Sequence, residues 1–259
     1  MNSVIHGDSL LVLKTLEQES FDLVYADPPF NTGQVQRSSR SDVSYADSRQ
    51  NFLAWMFDWV DECHRLLKPT GTMYLHLDHH SVHLTRCFAM DPLFGKENFL
   101  GEIVWSYNFG GRGKRFFAAK HDNILVYAKE KGRHVFNYDD IDTVPYKAPE
   151  MQYVNRSKEE AEVRIAKGQV PTDVWEMSVV GTNAKERTGY PTQKPVKLVK
   201  RAIVASSPTK GRVLDPFAGS GTTGAAALSC GREFVLIDEN QDAISAMKLR
   251  FNGTEVKFS

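Results

Sequence analysis

A carboxylate, a proline-fixed carbonyl and an aromatic ring follow one another at Asp27-Pro28-Pro29-Phe30, directly after the apolar run Phe21-Asp22-Leu23-Val24-Tyr25-Ala26. That run reads as a buried parallel strand, so the tetrapeptide sits where a strand stops. In an open α/β sheet this carboxyl end is where ligands bind, and two successive prolines make the turn beyond it stiff and extended. The three groups together can grip an exocyclic amino group of a flat heterocycle and stack on its ring. Nucleic-acid bases are such heterocycles. Taken alone, Asp-Pro-Pro is also an ordinary way to leave a strand.

A second motif adds weight to the chemical reading. Val213-Leu214-Asp215-Pro216-Phe217-Ala218-Gly219-Ser220-Gly221-Thr222-Thr223-Gly224 is a short strand entering a glycine-rich turn, and Ala225-Ala226-Ala227-Leu228 starts a helix. Glycines there let the backbone approach a ligand. The next strand, Glu233-Phe234-Val235-Leu236-Ile237, ends in Asp238, where an acid can accept from both hydroxyls of a ribose. Gly219 to Gly224 also matches G-x-G-x-x-G, so a nicotinamide-dependent oxidoreductase stays open as a reading from another class. The Phe-Ala-Gly-Ser-Gly-Thr-Thr form beside Asp-Pro-Pro-Phe fits a different adenosine-containing ligand better, S-adenosylmethionine.

With these motifs the chain resembles the DNA amino-methyltransferases, which methylate N6 of adenine or N4 of cytosine. Asp27-Pro28-Pro29-Phe30 is similar to the catalytic motif of that family, Phe217-Ala218-Gly219-Ser220-Gly221 to its cofactor loop and Asp238 to its ribose-binding acid. His6-Gly7-Asp8 resembles the segment flanking the cofactor adenine. Gly189-Tyr190-Pro191-Thr192-Gln193-Lys194-Pro195 resembles the lead-in to the helix at the methionine end, and His121 to Lys129 a late strand motif. The catalytic motif precedes the cofactor loop, which is the order of the β subgroup. The resemblance implies catalysis by Asp27, Pro28, Pro29 and Phe30, and cofactor binding by Asp8, Asp27, Lys194, Asp215, Phe217, Gly219, Gly221, Thr222, Thr223 and Asp238. It also implies duplex DNA as partner and a base flipped out of the stack. Within the resembled family Asp at the first motif position is more typical of adenine enzymes, which implies adenine N6, with N4-cytosine as the close alternative. A cognate restriction endonuclease and a second copy of the chain are compatible further partners.

The 259 residues carry equal numbers of acidic and basic side chains, so no global basic field announces nucleic acid. DNA contact then needs a local surface. Arg112, Lys114 and Arg115, interleaved with glycines and with Phe116 and Phe117, form one candidate; Arg37 and Arg40, after the catalytic motif, form another. No long apolar span predicts a membrane helix, and the N-terminus lacks the basic start and apolar core of a secretory signal. Cys63, Cys87 and Cys230 show no Cys-x-x-Cys spacing, which suits a reducing cytoplasm.

Positioning these groups requires alternating strands and helices. Strands are expected at 4–6, 23–26, 72–77, 103–106, 124–127, 212–214 and 234–237, and helices at 9–16, 52–67, 158–167, 194–206, 222–229 and 241–251. This predicts a doubly wound α/β sheet, and the resemblance implies seven strands with one antiparallel. Residues 130–188 interrupt the alternation, and the resemblance implies that they hold a target-recognition insert, between a catalytic half (1–129) and a cofactor half (189–259). His76, Asp78, His79, His80 and His83 invite a metal assignment, but the proposed chemistry gives a metal no task, and none is expected. Phe52, Trp55 and Trp59 sit at helical spacing and read as core.

Overall fold

The computed structural model describes residues 1–37 and 44–259, and Arg40 lies outside the described residues. Strands and helices follow one another as β1 (Asn2–His6), α1 (Ser9–Leu13), β2 (Phe21–Ala26), β3 (Gln34–Arg37), β4 (Ser44–Asp47), α2 (Phe52–Leu66) and β5 (Leu67–Leu77). The chain continues through α3 (Val82–Thr85), α4 (Asp91–Phe94), β6 (Phe99–Ser106), β7 (His121–Ala128), α5 (Lys158–Lys167) and β8 (Val174–Glu176). It closes with α6 (Val196–Ser206), β9 (Arg212–Asp215), α7 (Thr222–Ser229), β10 (Glu233–Asp238), α8 (Gln241–Arg250) and β11 (Val256–Phe258).

The central sheet runs β11-β1-β10-β9-β2-β5-β7-β6-β8, with β7 antiparallel to both neighbours and every other pairing parallel. The single antiparallel strand agrees with expectation; the strand count does not. Nine strands replace seven, because β8 and β11 extend the two edges. Each has three residues, too few to show a period in the sequence.

Successive residues of each central strand point to opposite faces, and both faces are covered. Leu23, Tyr25, Tyr74, Val213, Phe234 and Leu236 pack under α6, α7 and α8. Phe21, Val24, Met73, Leu75, Leu214 and Val235 pack under α1, α2 and α4. This double burial is why the strands read as continuous apolar runs. The chain leaves β9 through α7 toward β10, and leaves β2 through α2 toward β5, on the opposite side. The neighbouring carboxyl ends of β9 and β2 therefore flank a switch point, where a crevice opens.

Residues 130–188 are wired to the sheet. β8 pairs with β6, and Trp175 is buried in the core shared with α6. Arg201, buried on α6, holds Asp142 through Nε and Nη2 at 2.7 and 2.8 Å. Helix α5 starts with a reciprocal cap between Ser157 and Glu160.

Candidate active site

At the carboxyl ends of β9 and β2 lies a cavity of about 590 Å³. Of the ten residues expected to hold the cofactor, Asp8, Asp27, Lys194, Asp215, Phe217, Gly219, Thr222, Thr223 and Asp238 line it. Gly221 does not. Its φ is +74°, and a Cβ there would come within 2.8 Å of Met247 and 3.0 Å of Phe251. Its smallness lets α8 pack against the loop. Gly219, with φ +49° and Tyr190 3.2 Å from where a Cβ would stand, is the glycine that opens the cavity wall.

The acids in this cavity already have donors. Asp215, at the end of β9, accepts from Phe217 N at 2.9 Å and Thr223 Oγ1 at 2.5 Å. Burial pushes its carboxyl up to about 7 against those two bonds, with Asp27 and Asp238 adding repulsion. Asp238, at the end of β10, accepts from Gly219 N at 2.7 Å and Asn240 N at 2.8 Å, and burial raises it too. Asp8 caps α1 by accepting from Leu11 N at 2.9 Å. These bonds fix the carboxylates while leaving oxygen lone pairs for a ligand.

Asp27 is met by Lys194, whose Nζ lies 2.8 and 2.7 Å from the two carboxylate oxygens. The pair is mostly shielded, at 21% and 10% side-chain exposure, so the charges act in a weakly screened setting. Lys194 Nζ also lies 5.1 Å from the centre of the Phe30 ring. Beyond the motif the chain is clamped: buried Asp47 accepts from Asn31 N at 2.7 Å, Thr32 N at 3.1 Å and Thr32 Oγ1 at 2.5 Å. The β3–β4 hairpin thereby returns to the Asp27–Phe30 turn.

Phe30 does not line the first cavity. It lines a second, of about 510 Å³, with Phe52, Leu53, His80, Ser81 and Leu84 among its neighbours. Asn31 and Phe52 line both. Pro29 lines the first, and Pro28 is buried in the turn. The Asp27-Pro28-Pro29-Phe30 motif therefore forms a wall between two cavities.

Phe52 and Trp55 correct the expectation that they are core alone, because both line the first cavity. Trp55 stacks at a tilt on Phe217, 5.4 Å between centroids, and Arg49 lies 4.3 Å above its ring. Trp59 is fully buried, as expected. Helical period places such residues on the inward stripe without distinguishing core from cavity wall. Tyr25, Ser9, Glu239 and Asn240 are further lining residues to which no motif assigned a role, and Tyr190, which lies in the Gly189–Pro195 motif, lines the cavity too.

Arg37, Arg112, Lys114 and Arg115 are exposed. Phe116 and Phe117, between β6 and β7, are 79% and 100% exposed. The histidine cluster separates. His76 is buried in β5, whereas Asp78, His79 and His80 place one ligand atom each within 4.8 Å of one another. Asp78 spends its oxygens locally, accepting from Ser81 N at 2.9 Å and Ser81 Oγ at 2.6 Å and pairing with His80 Nδ1 at 3.0 Å. This is the turn into α3.

With this geometry in place, similarity to known proteins decides the family. The DNA methylase family pattern matches residues 21–249. The chain belongs to the DNA methylase family. The DNA adenine methyltransferase YhdJ of Escherichia coli K12 is 35% identical over 245 residues, 93% of this chain and 80% of that protein. The type II methyltransferase M.HpaI of Haemophilus parainfluenzae is 33% identical over 255 residues, 96% of this chain and 75% of its own. Among solved structures, the PvuII cytosine-N4-specific DNA methyltransferase superposes with a TM-score of 0.71 at 17% identity, over 98% of this chain and 87% of that one. The complex of M1.HpyAVI with S-adenosylmethionine gives 0.64 at 21% identity, over 97% and 100%. These two share the open, largely parallel fold of this DNA methylase. No helix among the described residues is long and apolar enough to cross a membrane.

Proposed function

We propose that this S-adenosylmethionine-dependent DNA methylase methylates N6 of an adenine flipped out of duplex DNA, with the roles divided across the Asp27–Phe30 wall. The observation that carries this division is the pair of cavities that the motif separates. The first suits the cofactor: six acids (Asp8, Asp27, Asp47, Asp215, Asp238 and Glu239) against the two cations Arg49 and Lys194 favour a cationic ligand, Asp238 suits ribose hydroxyls, and Phe217 with Trp55 offers an aromatic wall. Bound there, S-adenosylmethionine supplies a methyl group already activated by its sulfonium charge. The second, floored by Phe30, suits the base, which Phe30 stacks upon.

An exocyclic amine conjugated to a ring is a poor nucleophile while planar. Asp27 and the Pro28 carbonyl accept its two N–H bonds, favour a pyramidal nitrogen and stabilise the positive charge that develops on it. Lys194 holds the Asp27 carboxylate in place until the amine arrives. The remaining task is alignment and exclusion of water, after which the acidic ammonium product loses its proton at little cost. No cysteine is needed.

Arg37, Arg112, Lys114 and Arg115 contact the phosphate backbone, with Phe116 and Phe117 beside the bases, and residues 130–188 read the target sequence in the major groove. The reaction takes place in the cytoplasm. A cognate restriction endonuclease and a second copy of the chain are the candidate protein partners. Nucleoside analysis together with modification-detecting sequencing of DNA from cells expressing the protein tests the assignment. N6-methyladenine at one recurring sequence is the expected result; N4-methylcytosine, or no modified base, overturns it.

A further inference from the structure

Residues 107–120 join β6 to β7 and carry Arg112, Lys114, Arg115, Phe116 and Phe117. Strand register fixes which end of the sheet they occupy. Ala26, the last residue of β2, pairs with Leu75 of β5, whose last residue, Leu77, pairs with Asn123 near the start of β7; Ser106, at the end of β6, pairs with His121. The connection therefore leaves the same end of the sheet as the Asp27–Phe30 turn. In the sheet β7 is two strands from β2, about 10 Å at the usual strand spacing. Each stem of the connection is linked by side chains to the wall of the second cavity. Tyr107 donates to Asp122 Oδ1 at 3.0 Å, Asp122 Oδ2 lies 3.0 Å from His76 Nε2, and the His76 ring stacks on Phe30, 6.1 Å between centroids. On the other stem the His121 ring lies 6.1 Å from that of His79, itself 3.9 Å from His80, which lines the cavity.

The base of the connection is tied and its tip is bare. Tyr107 N donates to Lys120 O at 2.9 Å, and Lys120 Nζ donates to the carbonyls of Phe109, at 2.5 Å, and Gly110. Beyond them the chain bends at 114–116, where a Cβ on Gly113 would collide with the Phe116 carbonyl. Phe117 follows the bend and is 100% exposed; Phe116 is 79% exposed. A single apolar side chain in water is ordinary, but two adjacent rings beside three exposed cations form an apolar tip within a basic patch. That combination suits a polyanion whose interior is a stack of flat rings.

We propose that Phe117 is a wedge that enters the DNA base stack at the position vacated by the flipped adenine, so that one ring, Phe30, receives the base while another fills the gap it leaves. Flipping strips stacking from the two neighbouring base pairs. A phenyl ring between them restores part of it and slows the return of the base. Arg112, Lys114 and Arg115 hold the flanking phosphates, which keeps the tip against the groove. The proposal rests on the flipped-adenine reading above.

The test uses the whole protein and synthetic duplexes carrying the site that the sequencing experiment maps. In one duplex the target adenine is paired with thymine; in the other it faces an abasic position, so no pairing opposes its exit. Single-turnover methyl transfer from S-adenosylmethionine is measured on both. Phe117 is fully exposed, so its replacement leaves the packing of the fold intact. Phe117→Ala should slow transfer to the paired duplex roughly tenfold, as loss of one aromatic stack implies, and transfer to the abasic duplex by no more than about threefold. Phe117→Trp, which keeps a flat ring, should retain most of the rate on the paired duplex. An unchanged rate of Phe117→Ala on the paired duplex overturns the proposal. So does an equal loss on both duplexes, which marks a contact with the DNA surface and not a wedge. Wild-type protein that methylates adenine in neither duplex would instead remove the flipped-adenine reading, and this proposal with it.

Discussion

On the cofactor side of the catalytic motif the polar groups hold partners before any ligand arrives: Asp27 on Lys194, Asp215 on Phe217 N and Thr223, Asp238 on Gly219 N and Asn240 N. The cations expected to meet DNA are built differently, with Arg112, Lys114 and Arg115 lying exposed in a loop and paired with no carboxylate among the described residues. The first arrangement places acceptors in a shielded cavity where they need not reorganise during reaction. The second leaves cations exposed, where under the proposed reading they would displace counterions from a polyanion, a task that rewards number over exact position. Substitutions should therefore fail in different ways on the two sides.

The largest effect belongs to the boundary between them. On the proposed mechanism Asp27→Ala should lower turnover by at least about 10²-fold, because it would remove an acceptor for developing charge. Steady-state rates on a purified variant that still unfolds cooperatively decide this. Near-normal turnover would mean that Lys194 or another group, and not the carboxylate, organises the amine.

A smaller, purely cofactor-side loss is expected from Asp238→Ala. Losing charge-assisted bonds worth roughly 1.5–3 kcal/mol weakens S-adenosylhomocysteine about 10- to 150-fold, with little change in DNA affinity. Calorimetry reads the first and a DNA-binding titration the second. Unchanged cofactor affinity would point to Glu239, which lines the same cavity, as the acid that holds the ribose.

The same contrast explains what the sequence disclosed. Asp27, Asp215 and Asp238 each follow or end an apolar run, so their place at strand ends was legible, and the glycine turn after β9 marked where α7 begins. What stayed hidden depends on distant pairing. Lys194 meets Asp27 across 167 residues, and no local pattern announces that. Asp47 clamps Asn31 and Thr32 from the far end of a hairpin. Phe52 and Trp55 follow a helical period that core residues also follow. Alternation lapses between about 130 and 188, where an insert is expected; that region nonetheless contributes β8 to the sheet and Trp175 to its core.

On the DNA side, replacing Arg112, Lys114 and Arg115 together with Ala should weaken duplex binding on the order of tenfold, and should flatten the dependence of log affinity on log salt by about 0.9 for each true phosphate contact. Fluorescence titration across a salt series measures both. Cofactor affinity should not move. A salt dependence identical to wild type would remove this loop from the interface and leave Arg37 and its neighbours to carry it.

The mildest effect concerns pH and comes from a buried cavity acid at the end of β9. The Asp215 carboxyl is raised by burial from 3.8 to about 7, so the ligand-free protein carries a proton there below neutrality. For stability, the contribution is fully present below about pH 4 and is lost as pH rises through about 7, when the buried group ionises. Cofactor binding runs the other way. A cationic ligand favours the ionised carboxylate, so affinity is fullest above about pH 7 and declines as pH falls below it. If ligand binding lowers the bound-state value well below 6, linkage limits the loss between pH 8 and pH 6 to about tenfold. Asp215→Asn, which keeps an acceptor for Phe217 N, should abolish that slope and raise the melting temperature of the ligand-free protein at pH 8 more than at pH 5. Calorimetry and thermal unfolding at the two ends of each range provide the measurement. A wild-type affinity that is flat from pH 8 to pH 6 would show that Asp215 supports the loop through Phe217 and Thr223 without its charge reaching the ligand.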